Sequence, residues 1–245
     1  MGLLVNCDKN SLGPTLSKDP DFSSTPMENE EAELAALHLS GKLIATLPLY
    51  EQIKEELELI RETWSDSIVH VNLTFDPYLR ESNIKTYVSQ ATYDSMNAGL
   101  YHHWDSLNDH YRIDTIALGR SIYSSYRWAN LYFEGRLNPL LLVDIYAGLP
   151  GFISLTSVAS WPIGDRPILL LLQEEQTIKY FFRYAYGDCP SGCIHSEIYY
   201  FTVEQNSALY HGSYFSYPAD SIRPTWFDTV LIAFDKYSAW NQWPD

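Results

Sequence analysis

The clearest alternation of hydrophobic and polar positions lies in the C-terminal half of the chain. Aromatic and β-branched residues are dense over 178–186 and 194–203, and a loop rich in glycine and proline, 187–193, separates them. Such runs suit a half-buried pleated surface and such a loop suits a tight turn, so the pattern predicts a β-hairpin. Two flanking runs, 168–172 and 208–215, extend the prediction to an antiparallel meander over 167–215.

Helical periodicity marks the region before residue 64. Asn29 can cap a helix over 30–39, with glutamates in its first turn and Gly41 after its last turn. A second helix is predicted to begin near Pro48 and to end near residue 63, with an apolar stripe formed by Leu49, Ile53, Leu57 and Ile60. Together they predict a helical hairpin over 29–63, whose apolar stripes need a sheet from later in the chain.

Between these regions the pattern predicts two strand-helix-strand units over 68–161. The elements expected for the first unit are a strand over 68–75, a helix over about 93–110 and a strand over 111–118. The second unit is expected to consist of a strand over 126–133, a helix from Asn138-Pro139 to about 147 and a strand over 152–161. The similarity of 72–76 to 130–134 is explained more simply by chance likeness of two amphipathic strands, and a degenerate duplication of the strand-helix-strand unit is the alternative.

These elements predict an α+β fold, with an antiparallel or mixed sheet and helices packed on one face. Residues 29–245 are interpreted as a single domain, because a chain of 245 residues can bury a substantial core. A short helix over about 224–237 is expected within the C-terminal segment, 218–245. Residues 1–28 are polar and rich in Ser, Pro and Asp, which predicts a flexible linker.

The composition restricts the choice of partner. The chain carries 31 acidic and 16 basic side chains, a formal net charge of −15. Phosphate backbones and anionic membrane surfaces attract clustered Lys and Arg, so this charge argues against nucleic acid or such a surface as a partner. The 19 tyrosines and seven tryptophans favour an exposed recognition surface for a protein or a component of the cell envelope, although these residues are also good strand formers.

Two of the three cysteines face each other across the predicted hairpin loop. Cys189 and Cys193 are four residues apart, and a disulfide between them would pin the tip of the hairpin. Three alternatives remain open: free thiols, a metal site with Asp188 and His195, and a redox pair, whose usual spacing is one residue shorter.

The third cysteine lies near the N-terminus. Residues 4–7, Leu-Val-Asn-Cys, are similar to the end of a lipoprotein signal, after which Cys7 would be acylated. Asn6 is larger than the usual residue before such a cysteine, and no long apolar stretch precedes it. An ordinary N-terminus with a free cysteine is the alternative. No later run approaches the ~18 apolar residues of a membrane span, so we expect membrane contact only through a lipid anchor.

The densest cluster of catalytic residue types lies in 101–110. His102, Asp105 and Asp109 fall on one face of the predicted helix, opposite an apolar stripe of Leu100, Trp104, Leu107 and Tyr111. They could hold a metal only if another segment closed over them, and a solvated polar face is the simpler interpretation. Asp165 with Glu174 and Glu175 is a weaker candidate for paired carboxylates.

The sequence also carries a resemblance to a family. The run Tyr-Gly-Asp-Cys-Pro-Ser-Gly-Cys-Ile at 186–194 resembles a motif of uncharacterised exported bacterial proteins, many of which are lipoproteins. Further segments similar to these proteins lie at 34–61, 104–108 and 146–151. The resemblance covers most of 30–215 and implies export, but it implies no activity and no functional residue.

We therefore expect a non-catalytic, exported or envelope-anchored binding domain that needs no cofactor or metal. No nucleophile motif, zinc-protease motif or phosphate-binding glycine loop is present in the sequence. The alternatives are an extracellular hydrolase that uses His102, Asp105 and Asp109, and a cytosolic domain with reduced thiols.

Overall fold

The computed structural model describes residues 27–76, 79–121, 125–159, 165–189, 192–217 and 222–240, and these residues form helices and two antiparallel sheets, which confirms the α+β class. The helices are α1 Glu30–Ser40, α2 Leu47–Trp64, α3 Gln90–Asn97, α4 Asp105–His110, α5 Pro139–Tyr146 and α6 Phe227–Trp240. The strands are β1 Leu79–Val88, β2 Ile113–Arg120, β3 Arg127–Phe133, β4 Phe152–Ala159, β5 Ile168–Glu174, β6 Thr177–Tyr186, β7 His195–Glu204 and β8 Ser207–Phe215.

The first sheet interlocks two strand-helix-strand units. Its strand order is β2-β3-β1-β4, and every neighbouring pair is antiparallel. The first strand of each unit, β1 or β3, is central, and the outer strand of each unit pairs with the central strand of the other. The chain therefore has the β-α-β-β-α-β connectivity of ferredoxin-like sheets.

The second sheet is the predicted meander, in the order β5-β6-β7-β8. Tyr180 pairs with Phe201, and the register continues without a shift along β6 and β7. The tight turns place Glu175, Gln205 and Asn206 at positive φ, a conformation that Asn adopts more readily than most residues. The periodicity of two and the turn residues thus predicted this sheet correctly.

Helices cover both faces of the second sheet. The caps of α1 follow the prediction: the Asn29 side chain accepts a hydrogen bond from the Ala32 amide, and Gly41 is left-handed at φ 58°. α1 packs on α2 and contacts β5, while α2 contacts β7 and β8. α6 covers the other face and buries Val230, Ala233 and Tyr237. Residues 168–172 of β5 are buried, as a strand between two helical layers requires.

The strand predicted over 68–75 is wrong. Val69–Asn72 forms a 3₁₀ helix, which leaves Val69 exposed and Val71 and Phe75 buried. The Thr74 carbonyl accepts from the Leu169 amide of β5, and several other backbone groups of the segment bind side chains. Arg61 donates to the Val71 and Leu73 carbonyls, and Glu31 accepts from the Phe75 amide. Because Arg61 and Glu31 also pair with each other through two 2.9 Å hydrogen bonds, this ion pair fixes the segment.

The helix predicted over about 93–110 is two helices, α3 and α4. Gly99 follows α3 at φ 68°, a left-handed position that ends a helix. Leu100, expected on the buried stripe, is 70% exposed, whereas Trp104, Leu107 and Tyr111 are buried as predicted. The first strand-helix-strand unit begins at β1 and not at residue 68, so the equivalence of 72–76 with 130–134 is wrong as well.

Each sheet has its own hydrophobic cluster among the described residues. The larger surrounds the second sheet, and the smaller lies between one face of the first sheet and helices α4 and α5. Polar contacts join the two: Arg136 pairs with Glu33, and the Asn138 amide donates to the Leu43 carbonyl at 2.9 Å. The single domain over 29–245 stays a prediction.

Candidate functional site

The polar cluster singled out from the sequence is a solvent-exposed surface. His102 precedes α4, and its Nδ1 lies 2.8 Å from Asp105 Oδ2, with side-chain exposures of 69% and 55%. Asp109 is exposed as well. No group of three or more His, Cys, Asp or Glu is placed to hold a metal ion among the described residues. The cluster therefore lacks the enclosure that a catalytic or metal site needs.

Of the three other candidate carboxylates, Glu175 lines a cleft between helices, and Asp165 and Glu174 are held in ion pairs. Arg183 Nη1 donates to Asp165 Oδ1 at 2.7 Å, and Lys179 Nζ lies 2.6 Å from Glu174. Asp165 thus anchors the residues that precede β5, and Glu174 belongs to the β5–β6 turn. These partners give both carboxylates structural roles.

Cys189 and Cys193 are joined by a disulfide, with their Cα atoms 4.1 Å apart. The bond closes the loop between β6 and β7, where Gly187 has φ 78° and its carbonyl accepts from the Ile194 amide. In this bond neither sulfur is a free thiol or a thiolate that could bind a metal, and the redox alternative stays a prediction. Cys7 lies outside the described residues, as does most of the linker predicted over 1–28.

One cleft, of about 670 Å³, lies where α1, α5, α6 and the β5–β6 turn meet. His38 and Lys236 line it, and burial together with the Lys236 charge lowers the pKa of His38 to about 4. A neutral imidazole in this cleft could accept a proton, but Ser40, the hydroxyl residue there, donates to the Leu37 carbonyl. The cleft thus contains no serine–histidine pair.

A second cleft, of about 420 Å³, lies between α2 and the β7–β8 turn. Glu51, Glu55 and Glu56 line it. Burial raises the pKa of Glu56, whose carboxylate accepts from Tyr180 at 2.8 Å and from Gln52 at 2.9 Å. Because these bonds fix Glu56 against the sheet, we interpret it as a partner for a buried tyrosine.

The outward face of the first sheet, opposite its hydrophobic cluster, is the surface that we call the open face. The strand register assigns three cross-strand rows to it. The rows are Thr115–Tyr132–Asn83, Ala117–Asn130–Lys85 and Gly119–Trp128–Tyr87–Ser154. The other face of the same strands carries Ile84, Ala129, Leu131 and Phe133, which are buried.

The Trp128 indole packs against the backbone of β2 because residue 119 has no side chain. A Cβ built on Gly119 would come within 2.3 Å of the indole, so only glycine permits this ring to rest on the backbone of β2. Lys85 Nζ lies 5.0 Å from the Trp128 ring centroid and 5.4 Å from that of Tyr87. Tyr126, 60% exposed, contacts Tyr87 edge to face. The result is a platform of rings with a single ammonium group.

The open face is polar but almost uncharged. Among the side chains that the register assigns to it, Lys85 is charged and the remainder are aromatic, amide, hydroxyl or small. The amide oxygen of Asn130, in the middle row, is buried and has no hydrogen-bond partner among the described residues.

A second aromatic surface lies at the end of the second sheet, next to the disulfide. There the rings stack on each other: His70 lies 4.1 Å from Tyr184, and Tyr184 is 5.5 Å from Tyr186, both pairs being stacked. Glu197 accepts from Tyr199 and faces His70 at 3.5 Å. These ring faces are used within the protein, whereas the Trp128 ring rests on backbone.

Scans against protein-family models, curated proteins and solved structures found no match to this chain. In the described part of the chain, no helix combines the length and the apolar character of a membrane span. The site must therefore be judged on its own geometry.

Sequence reasoning anticipated an aromatic sheet surface but placed it on no particular strands. Two signals were available in the sequence: the alternation of Asn83, Lys85 and Tyr87 with Ile84, Thr86 and Val88, and the tryptophan in a run that was predicted as a strand. The contact of Trp128 with Gly119 depends on the β2–β3 register, which no sequence pattern reveals.

Proposed function

We propose that this protein is a non-catalytic binding domain of the cell envelope, and that the open face is its recognition surface. The observation that carries the proposal is the Trp128 indole packed against Gly119, beside Tyr87 and Lys85. Surface aromatics arranged this way offer large, rigid contact area at little cost in conformational entropy.

Binding is favoured over catalysis by the placement of the polar residues. His102 and Asp105 are exposed outside both clefts, Asp165 and Glu174 are held by cations, and Ser40 donates to a carbonyl. The hydrolase alternative needs carboxylates or a nucleophile with a base inside a cleft. Binding at the open face requires only the side chains that this face exposes.

The envelope location is part of the proposal. The Cys189–Cys193 disulfide is compatible with an oxidising compartment. An acyl group on Cys7 would tether the domain through residues 8–28, a polar segment that suits a spacer. The resemblance to exported bacterial proteins points in the same direction.

The test is co-sedimentation of the purified protein with isolated bacterial cell envelopes. The informative variant is Gly119→Ala, because its methyl group displaces the Trp128 ring without removing any side chain of the open face. Gly135→Ala is the matched control, since a Cβ there meets nothing within 4 Å. We expect G119A to reduce the bound fraction at least tenfold and G135A to leave it unchanged.

Equal binding by wild type and G119A would contradict the proposal, because the recognition surface would then lie elsewhere. Circular dichroism and thermal unfolding must show that G119A remains folded. If it does not, Trp128→Leu supplies a second variant that keeps an apolar side chain over Gly119 but removes the indole.

A further inference from the structure

We propose that the ligand of the open face is a neutral polysaccharide chain. This inference rests on the proposed function and names the class of molecule that the surface binds.

The ring platform suits the flat side of a sugar. The faces of Trp and Tyr rings carry negative charge density, which attracts the polarised C–H groups on the apolar side of a pyranose. The Trp128 indole covers Gly119, Tyr87 is its cross-strand neighbour, and Tyr126 contacts the Tyr87 ring. Trp128 and Tyr132 are four residues apart on β3, about 13 Å at the usual rise per residue. A short oligosaccharide spans that distance.

The groups around the rings suit hydroxyls. Asn83, Asn130, Thr115 and Ser154 share the face with the aromatic side chains. Amides and hydroxyls both donate and accept hydrogen bonds, as a sugar hydroxyl does. Lys85 adds three donors, held between the Tyr87 and Trp128 rings.

Charge and side-chain type disfavour the other polymers. A nucleic acid rewards several Lys and Arg contacts to phosphate, and the open face has Lys85 in a chain of net charge −15. The same net charge repels polyanionic glycans. Tyr and Trp also occur at protein interfaces, but the cores of those interfaces are largely apolar, and the register assigns no Val, Ile, Leu or Met to this face. Protease treatment of the envelopes tests a protein partner.

To test this inference, the envelopes are treated with periodate or with protease before sedimentation. Periodate oxidises the vicinal diols of sugars, and protease digests proteins. We expect binding of the wild-type protein to survive protease and to fall at least tenfold after periodate. Affinity electrophoresis in gels that contain dextran, glucomannan or xylan then checks binding to a neutral polysaccharide directly.

Two exposed tyrosines, one beside the open face and one at the end of the second sheet, serve as test and control for where the polysaccharide binds. Tyr126 is 60% exposed beside the platform, and Tyr217 is 63% exposed at the end of the second sheet. We expect Tyr126→Ala to remove the retardation in the polysaccharide gels and Tyr217→Ala to keep it.

The possible outcomes distinguish the failure of the polysaccharide ligand from the failure of the recognition surface. Envelope binding that is sensitive to G119A and protease but resists periodate would overturn the polysaccharide and leave the recognition surface standing. Binding that G119A does not affect would overturn both. Sensitivity to periodate with no retardation in any of the three gels would also count against a neutral chain and favour a charged glycan.

Discussion

His38 shows how a single side chain can make the stability of this protein depend on pH. Its ring packs on Phe75 at 5.1 Å and near Tyr237 at 6.3 Å, and burial with the Lys236 charge lowers its pKa from 6.5 to about 4. The unfolded chain therefore binds a proton at a higher pH than the folded chain does. The contribution of His38 is fully present above pH 6.5 and is lost as the pH falls toward 4.

This difference predicts the behaviour of His38→Gln. Between pH 7 and pH 5 the wild-type protein should lose about 2 kcal/mol more unfolding free energy than the variant, because Gln does not titrate. Urea denaturation at the two pH values measures the difference. His102→Gln, at a site that is 69% exposed, is the control. It should lose as much unfolding free energy between pH 7 and pH 5 as the wild type does. Parallel losses in wild type and H38Q would show that His38 is not the source.

At the scale of single elements, the ion pair of Arg61 and Glu31 replaces a strand. Glu31 is 13% exposed and also accepts from the Phe75 amide. We expect Glu31→Gln to lower the unfolding free energy by about 2 kcal/mol, since it removes a charge that binds a guanidinium and a backbone amide. Urea denaturation at pH 7 tests this value.

Glu174→Gln is the matched control for that substitution. Glu174 also pairs with a cation, Lys179, but it is 52% exposed. Exposed pairs contribute little, so we expect a change of less than about 1 kcal/mol. Similar losses in the two variants would mean that the Arg61 contacts do not hold the 3₁₀ segment.

The elements that the sequence predicts well are those whose signals are local. The meander follows from period-two alternation and turn residues, and α1 follows from its Asn29 cap and Gly41. The segment 68–75 alternates just as clearly, but its partners are Arg61 and Glu31, which lie in other elements. A local pattern cannot report contacts that depend on tertiary structure.

The sequence pattern does not predict β1, because the outward side chains that make the open face a candidate site are largely polar. Asn83, Lys85 and Tyr87 point outward, so the segment is polar and its pattern predicts no strand. Its inward residues, Ile84 and Val88, are buried. A functional surface on a strand weakens the pattern by which strands are recognised.

At the scale of the whole molecule, the two hydrophobic clusters predict that the sheets differ in stability. Leu131 is completely buried in the cluster of the first sheet. Leu131→Ala should cost about 2–5 kcal/mol. We expect hydrogen exchange to become faster in β1–β4 and to change little in β5–β8, because the buried residues form two separate clusters. These clusters are joined by Leu43 and Ile44 of the α1–α2 loop and by the polar contacts of Arg136 and Asn138.

Phe182→Ala, in the other cluster, is the reciprocal variant and should affect β5–β8. If both substitutions accelerated exchange equally in both sheets, the clusters would unfold as one cooperative unit. That result would support the single domain predicted over 29–245.

The order of elements along the chain also has a consequence during synthesis. α1 and α2 leave the ribosome first, but the sheet that covers their apolar stripes begins at Ile168, about 100 residues after Trp64. At usual rates of translation this interval lasts roughly 5–20 s. During this interval Ile53, Leu57 and Ile60 are exposed, because the sheet that buries them has not been synthesised. A chaperone that binds apolar helices can bind them during that time.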